Sequence, residues 1–190
     1  MDSDVMTDRD AAARRKNRIQ MLVIMAIALV SLGGSYLLYY LSRSGDIWGT
    51  TNNGAFVTPP VTVQDLEIRD AQARPLQDGG SWWLWVVPEG RCAEACDSAL
   101  HQLRQLHALL NKDAPRVRRA LLQQRGVAVE EAVAARYPKL EHLSGAVHDL
   151  APGIYIVDPI GNLVLHYPLT DAGKPVLEDL KKLLKVSQIG

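Results

Sequence analysis

Residues 81–96 read SWWLWVVPEGRCAEAC, and this stretch decides the fold. Aromatic and aliphatic residues run from 82 to 87 without a polar interruption, which is typical of a central strand covered on both faces. The PEG triplet that follows ends the strand. A helix is predicted over residues 93–111 because leucines recur there at spacings of three and four; they are Leu100, Leu103, Leu106 and Leu110. The cysteines of the chain therefore lie between a buried strand and a helix.

The sequence beyond this helix predicts a second strand and a second helix. Residues 116–122, RVRRALL, are interpreted as the strand. Residues 129–143 carry apolar side chains at helical spacing, although Pro138 makes that helix irregular. Two strands that each lead into a helix predict a βαβ unit with a parallel strand pair.

The C-terminal part predicts a β-hairpin and a last helix. Residues 154–157 and 163–167 are the predicted strands, separated by the turn sequence DPIGN. The last helix is predicted to begin near Pro175, with acidic residues early and lysines late, which complements the helix dipole. The order of elements indicates an α/β fold.

Residues 19–41 contain no charged side chain and exceed the roughly 20 residues that a helix needs to cross a bilayer. A cluster of basic residues precedes them, so the positive-inside rule predicts a cytoplasmic N-terminus; the cluster comprises Arg14, Arg15, Lys16 and Arg18. The alternative is a cleaved signal peptide, but its apolar region is usually about 7 to 15 residues and ends in an A-x-A-like site, which is absent here. We interpret the segment as an uncleaved anchor.

The predicted organisation has four parts. Residues 1–18 form a cytoplasmic tail, 19–41 a transmembrane helix, 42–60 a Gly/Ser/Thr/Asn/Pro-rich linker, and 61–190 a globular domain outside the cytoplasm. The 21 Lys and Arg residues balance the 21 Asp and Glu residues, which argues against nucleic acid as a partner. A total of two cysteines excludes a four-cysteine zinc site.

Cys92 and Cys96 stand at CxxxC spacing, where two residues of one helix have Cα atoms about 6 Å apart and can close a disulfide. A helix N-terminus stabilises negative charge, which favours a reactive thiolate. Two thiolates also form a soft chelate suited to Cu(I). The alternatives are two unreactive thiols or a structural disulfide, which at this spacing contributes only about 2 kcal/mol. Redox or metal chemistry is the favoured interpretation.

Residues 61–190 resemble the thioredoxin-like superfamily. The resemblance rests on the order of strand, cysteine loop and helix, followed by GIYIVDPIGNLVLHY at residues 153–167. The CxxxC spacing, the N-terminal anchor and the IYIVDPIG strand are most similar to the Sco/SenC proteins. That family's loop reads C-P-x-x-C-P, whereas Ala93 and Asp97 replace both prolines here. Pro152, which precedes the hairpin, instead resembles the cis-proline of membrane-anchored thioredoxins of the TlpA/ResA type.

The resemblance implies a thioredoxin-like domain, held at the cell inner membrane with its soluble part in the periplasm, that assists cytochrome c oxidase assembly. As a copper carrier it would hold Cu(I) with Cys92, Cys96 and His148, although His148 lies two residues earlier than the family's ligand. As a thiol-disulfide reductant it would attack a partner disulfide with Cys92 and resolve the intermediate with Cys96. The rival hypothesis is a non-enzymatic docking protein with incidental cysteines. The other histidines and the tryptophans of the strand are interpreted as structural.

Overall fold

The structure is a computed structural model that describes residues 2–43, 51–76 and 80–187. The chain divides into two compact units, Met1–Thr51 and Asn52–Gly190. The first is built on helix α1 (Asp2–Arg43), within which Arg15–Leu41 is long and apolar enough to cross a membrane and leaves its large apolar side chains exposed. This N-terminal helix fits a single-pass membrane protein.

The second unit is a six-stranded mixed sheet with helices packed on one face. The strands are β1 (Ala55–Phe56), β2 (Trp82–Val87), β3 (Val117–Gln124), β4 (Glu141–Gly145), β5 (Gly153–Val157) and β6 (Leu163–Tyr167). The α-helices are α2 (Glu94–Leu109), α3 (Glu131–Arg136) and α4 (Lys174–Val186). The strand order is β1-β6-β5-β2-β3-β4. Strand β2 pairs parallel with β3 and antiparallel with β5, so the predicted central strand, parallel pair and hairpin are all confirmed.

Strand β2 divides the core between its two faces because successive side chains of a strand point in opposite directions. Its even-numbered residues join the apolar side chains of α2, α3 and α4 in a first core. Its odd-numbered residues join a second core, which residues 57–76 cover without a helix. All three tryptophans of the strand are buried, as predicted.

The predicted helix over residues 129–143 is only partly present. Helix α3 stops at Arg136, two residues before Pro138, because a proline ring disfavours helical backbone in the residue before it and donates no hydrogen bond itself. Residues 141–145 become β4, which pairs in parallel with β3 and satisfies the backbone groups of that strand's open side. The apolar spacing alone does not distinguish this short strand from a helical turn.

The predicted linker of residues 42–60 also differs from the structure in its second half. Ala55 and Phe56 form β1, which pairs antiparallel with β6. The main-chain N–H groups of Asn53 and Gly54 donate hydrogen bonds to the buried carboxylate of Asp179 in α4, at 2.5 and 3.0 Å. Residues 44–50 of that linker lie outside the described residues.

Candidate functional site: the cysteine pair at the start of helix α2

Cys92 and Cys96 form a disulfide with a Cα–Cα distance of 5.1 Å. The turn is set by the sequence: β2 ends before Pro88, and Ala93 is the N-cap residue of α2. Cys96 therefore lies in the first helical turn. Cys92 lies just before the helix, so the two cysteines do not both belong to one helix as the CxxxC spacing predicted. Cys92 is 7% exposed and Cys96 is 2% exposed, so Cys92 is the more accessible member of the pair.

The predicted cis-proline lies at the correct end of the sheet but is in the trans form. Gly153 at the start of β5 pairs with Val87 at the end of β2, which places Pro152 at the end of the sheet from which the cysteine loop departs. The cis peptide bond of the described chain is Thr58–Pro59, so Ala151–Pro152 is trans and that prediction is wrong. A proline before a strand does not specify the isomer, because trans is favoured by about 0.5–1 kcal/mol unless tertiary contacts select cis.

His148 does not lie with the cysteines. Its side chain is 67% exposed, and its Nε2 lies 2.8 Å from Oδ2 of Asp149. The preceding residue, Val147, packs in the second core, on the opposite side of the sheet from the core that contains both cysteines. Within the described ranges, no group of three or more His, Cys, Asp or Glu side chains is placed to hold a metal ion. The disulfide-bonded pair and His148 thus do not fit a copper site in this structure.

Two of the remaining histidines make contacts with α2 or β3. His107 Nε2 lies 2.8 Å from the carbonyl oxygen of Val117, which joins α2 to the start of β3. His101 contacts Gln105 within α2. Burial lowers the pKa of His142, which favours its neutral form. None of these residues is brought to the cysteine loop as part of a metal-binding group of described residues.

An acidic residue next to Cys96 binds two side chains from the end of α3. Asp97 forms an ion pair with Arg136. The hydroxyl of Tyr137 donates hydrogen bonds to the side-chain Oδ1 and the main-chain oxygen of Asp97, each at 3.1 Å. Burial and the neighbouring Asp97 raise the pKa of Tyr137, so its hydroxyl keeps the proton that it donates. We call these three residues the Asp97 cluster.

The Asp97 cluster controls the charge beside the cysteine pair. Helix α2 has no side-chain cap, and its first turn carries the carboxylates of Glu94 and Asp97. Carboxylates at this position oppose the stabilisation that a helix N-terminus offers to a thiolate. The guanidinium of Arg136 offsets the charge of Asp97. This cluster could not be predicted from the sequence because Asp97 and Arg136 are far apart in the chain, and the only local signal was the replacement of a family proline by Asp97.

We expect Arg136→Gln to slow alkylation of the reduced cysteines at pH 7 by about three- to fivefold, because an uncompensated Asp97 carboxylate disfavours the thiolate by on the order of 1 kcal/mol. The measurement is the iodoacetamide labelling rate of the reduced full chain in detergent. Arg136→Lys, which keeps the charge, is the matched control, and adding Asp97→Asn to Arg136→Gln should restore the rate. Equal rates in all four proteins would contradict an electrostatic role for the cluster.

Comparison with known proteins supports the fold. The family model described as "Transmembrane-like, thioredoxin-like, C-terminal domain" matches residues 82–187, which is more than half of the chain. The solution structure of apo Sco1 from Thermus thermophilus aligns with a TM-score of 0.52 at 20% identity, over 71% of this chain and 99% of that one. No curated protein matches the sequence.

Two further solved structures align less closely. Copper-bound ScoI from Bradyrhizobium japonicum has a TM-score of 0.47 at 18% identity, over 62% of this chain and 96% of that one. A mutant of peroxiredoxin Q from Xanthomonas campestris has a TM-score of 0.46 at 12% identity, over 71% and 99%. The predicted resemblance to Sco proteins within the thioredoxin-like superfamily is thus confirmed at the level of the fold. The chain belongs to the family of transmembrane-like, thioredoxin-like C-terminal domains.

Proposed function

We propose that this protein is a membrane-anchored thiol-disulfide exchange protein that reduces a disulfide in a partner. The observation that carries the proposal is the Cys92–Cys96 disulfide, which joins the loop before α2 to the first turn of that helix in a thioredoxin-like domain. Its short span makes it a weak structural crosslink, which contributes only about 2 kcal/mol by loop closure. A helix N-terminus is a position that favours a reactive thiolate.

The difference in exposure supports an order of reaction for the two cysteines. The thiolate of Cys92, the more exposed residue, attacks one sulfur of the partner disulfide, forms a mixed disulfide and releases the other partner sulfur as a thiolate. The thiolate of Cys96 then attacks the Cys92 sulfur, closes the intramolecular disulfide and releases the second partner sulfur. Two electrons pass to the partner, and an external dithiol must reduce the Cys92–Cys96 pair before the next cycle.

The test is electron transfer from the reduced full chain to an oxidised model peptide that contains one disulfide. One equivalent of reduced chain should reduce one equivalent of peptide, and a chain carrying both Cys92→Ser and Cys96→Ser should reduce none. If the double variant also retained full activity in cells, the docking hypothesis would replace this one, because the thioredoxin-like body alone would then suffice.

The Sco-like fold supports a role in cytochrome c oxidase assembly, with reduction of a disulfide between the cysteines of a copper site as the corresponding step. Copper carriage is the other role that the resemblance implies. The geometry does not support copper carriage, because His148 is exposed beside Val147 of the second core and the two sulfurs are bonded to each other. A Cu(I) titration of the reduced chain separates the two roles: tight binding that is lost in His148→Ala would favour carriage.

We also propose that the anchor lies in the cell inner membrane and that the thioredoxin-like unit faces the periplasm. The basic residues just before residue 19 support this orientation through the positive-inside rule. A reporter enzyme that is active only outside the cytoplasm should therefore be active when fused after Gly190. A cytoplasmic reporter that is active at the same position would reverse the orientation and place the cysteines in a reducing compartment.

A further inference from the structure

A small cavity of about 210 Å³ lies between α2, β3 and the segment that follows α3. Its lining residues are Arg104, Arg119, Arg136, Tyr137, Pro138 and Lys139. Four of these six side chains are cationic, and none of them is a carboxylate. The disulfide is not part of the lining, and the cavity is linked to Asp97, the neighbour of Cys96, through Arg136 and Tyr137.

Arg119 occupies a costly position for a charged side chain. It stands on β3 between Val117 and Leu121, two residues of the first core, and therefore on the sheet face that the helices cover. Its side chain is half-buried, and burial together with the nearby Arg104 lowers its pKa. Buried charges are normally paired, because removing a guanidinium from water without a partner is unfavourable.

Arg104 and Arg119 line the same cavity without a counterion among the described residues. Within residues 15–41, 51–76 and 80–187, neither guanidinium donates a hydrogen bond or forms an ion pair. The neighbouring arginines do have partners: Arg118 on β3 pairs with Glu141 at 2.7 Å and lies over the ring of Trp83. Arg104 and Arg119 thus differ from the neighbouring arginines in having no partner among the described residues.

Two cationic groups on separate walls call for a ligand with two negative charges and oxygens that point in different directions. A tetrahedral phosphate group has this geometry, whereas the two oxygens of a carboxylate lie in one plane on one side. A cavity of about 210 Å³ holds a group of that size. We propose that this cavity binds a phosphate-class dianion, with Arg104 and Arg119 as its principal ligands and Lys139 at its rim.

The site is independent of the thiol chemistry, so it can be tested with the Cys92–Cys96 disulfide intact. Inorganic phosphate is titrated into the full chain in neutral detergent at constant ionic strength, with chloride as the competing salt and calorimetry as the readout. We expect saturable binding that weakens at least tenfold in Arg104→Gln and in Arg119→Gln. Binding should also weaken as the pH is lowered from 8, because protonation converts the phosphate dianion into the monoanion.

Arg118→Gln is the matched control, since it removes the same charge from the adjacent residue of β3 on the opposite sheet face. Arg104 is exposed on α2, so its variant keeps the test valid should Arg119→Gln fail to fold. Phosphate affinity that is equal in the parent and in Arg104→Gln would overturn the proposal. Affinity reduced as strongly by Arg118→Gln would also overturn it, because net charge and not the cavity would then account for binding.

Free phosphate and the headgroup of an anionic lipid share this chemistry. The two sources are distinguished by repeating the titration on the full chain in phosphatidylcholine nanodiscs with and without phosphatidic acid. Weaker apparent phosphate binding in the presence of phosphatidic acid, lost in Arg104→Gln, supports the site and identifies a headgroup as its occupant. Unchanged phosphate binding supports the site with a soluble phosphate as its occupant.

Discussion

A reduced chain that carries Cys96→Ser is expected to accumulate a covalent mixed disulfide with an oxidised peptide, whereas the parent chain releases the peptide in its reduced form. The thiolate of Cys92 still attacks the peptide disulfide, but serine cannot attack the resulting bond. Turnover should fall to the rate of uncatalysed exchange. The adduct is measured as a mass shift on a non-reducing gel and located by digestion and mass spectrometry.

The matched variant, Cys92→Ser, should yield no adduct because the remaining thiol, on Cys96, is 2% exposed. Both variants lose the same crosslink, so a difference between them reports chemistry and not stability. Thermal unfolding followed by tryptophan fluorescence checks this point, and the two transitions should coincide. Adducts of equal yield in the two variants would remove the assigned order of attack, and an adduct on Cys96 alone would reverse it.

Asp179→Ala is expected to destabilise the thioredoxin-like unit by about 3 kcal/mol, because it removes the acceptor of a buried hydrogen-bond network. Asp179 is 1% exposed and accepts bonds from the main chain of Asn53 and Gly54, the hydroxyl of Tyr167 and the ammonium of Lys182. The unfolding midpoint of the full chain in detergent measures the effect. Glu178→Ala removes an exposed carboxylate from the adjacent residue and should change stability by less than about 0.5 kcal/mol.

Glycine is required at position 54 for the same contact. A Cβ atom there would lie 2.5 Å from Cζ of Tyr167, so a side chain at position 54 would push the start of β1 away from the Tyr167 ring. Burial and the hydrogen bond to Asp179 raise the pKa of Tyr167, which keeps its hydroxyl a donor throughout the ordinary pH range. Tyr167→Phe should therefore lower the stability by about 1 kcal/mol. This loss is smaller than that of Asp179→Ala, because Tyr167→Phe removes one donor whereas Asp179→Ala removes the acceptor that several donors share.

The same network predicts a pH dependence. Burial raises the pKa of Asp179, but hydrogen bonds from Gly54, Lys182, Tyr167 and Asn53 outweigh it and the pKa in the folded state is lowered. The stabilisation by the Asp179 carboxylate is therefore complete above the unfolded-state pKa of about 3.9. It is lost as the pH falls through the lower pKa of the folded state. The stability difference between the parent and Asp179→Ala should narrow below about pH 4. A difference that stays constant from pH 7 to pH 2.5 would contradict this assignment.

Local patterns in the sequence were sufficient for most of the fold. The apolar run of β2, the leucine spacing of α2, the hairpin around DPIGN and the proline at the start of α4 each specify an element through contacts within a few residues. The uncharged stretch within α1 is likewise decided by composition. Helix position and CxxxC spacing were also enough to indicate that Cys92 and Cys96 can form a disulfide.

Tertiary structure decided the features that depend on distant residues. Residues 141–145 became β4 because the open side of β3 was available for pairing, which no local pattern records. His148 is close in sequence to Pro152, but it follows Val147 of the second core, whereas the cysteines belong to the first core. The reason is that the chain from β4 to β5 crosses the sheet on the face of the second core. Three features join residues from separate elements: the pairing of Asp97 with Arg136, the hydrogen bond from Gly54 to the buried Asp179, and the cavity that Arg104 and Arg119 line together. Sequence alone therefore determined where the disulfide-bonded sulfurs lie along the chain, whereas packing determined which charges surround them, because electrostatic interactions depend on distance in space and not on separation in sequence.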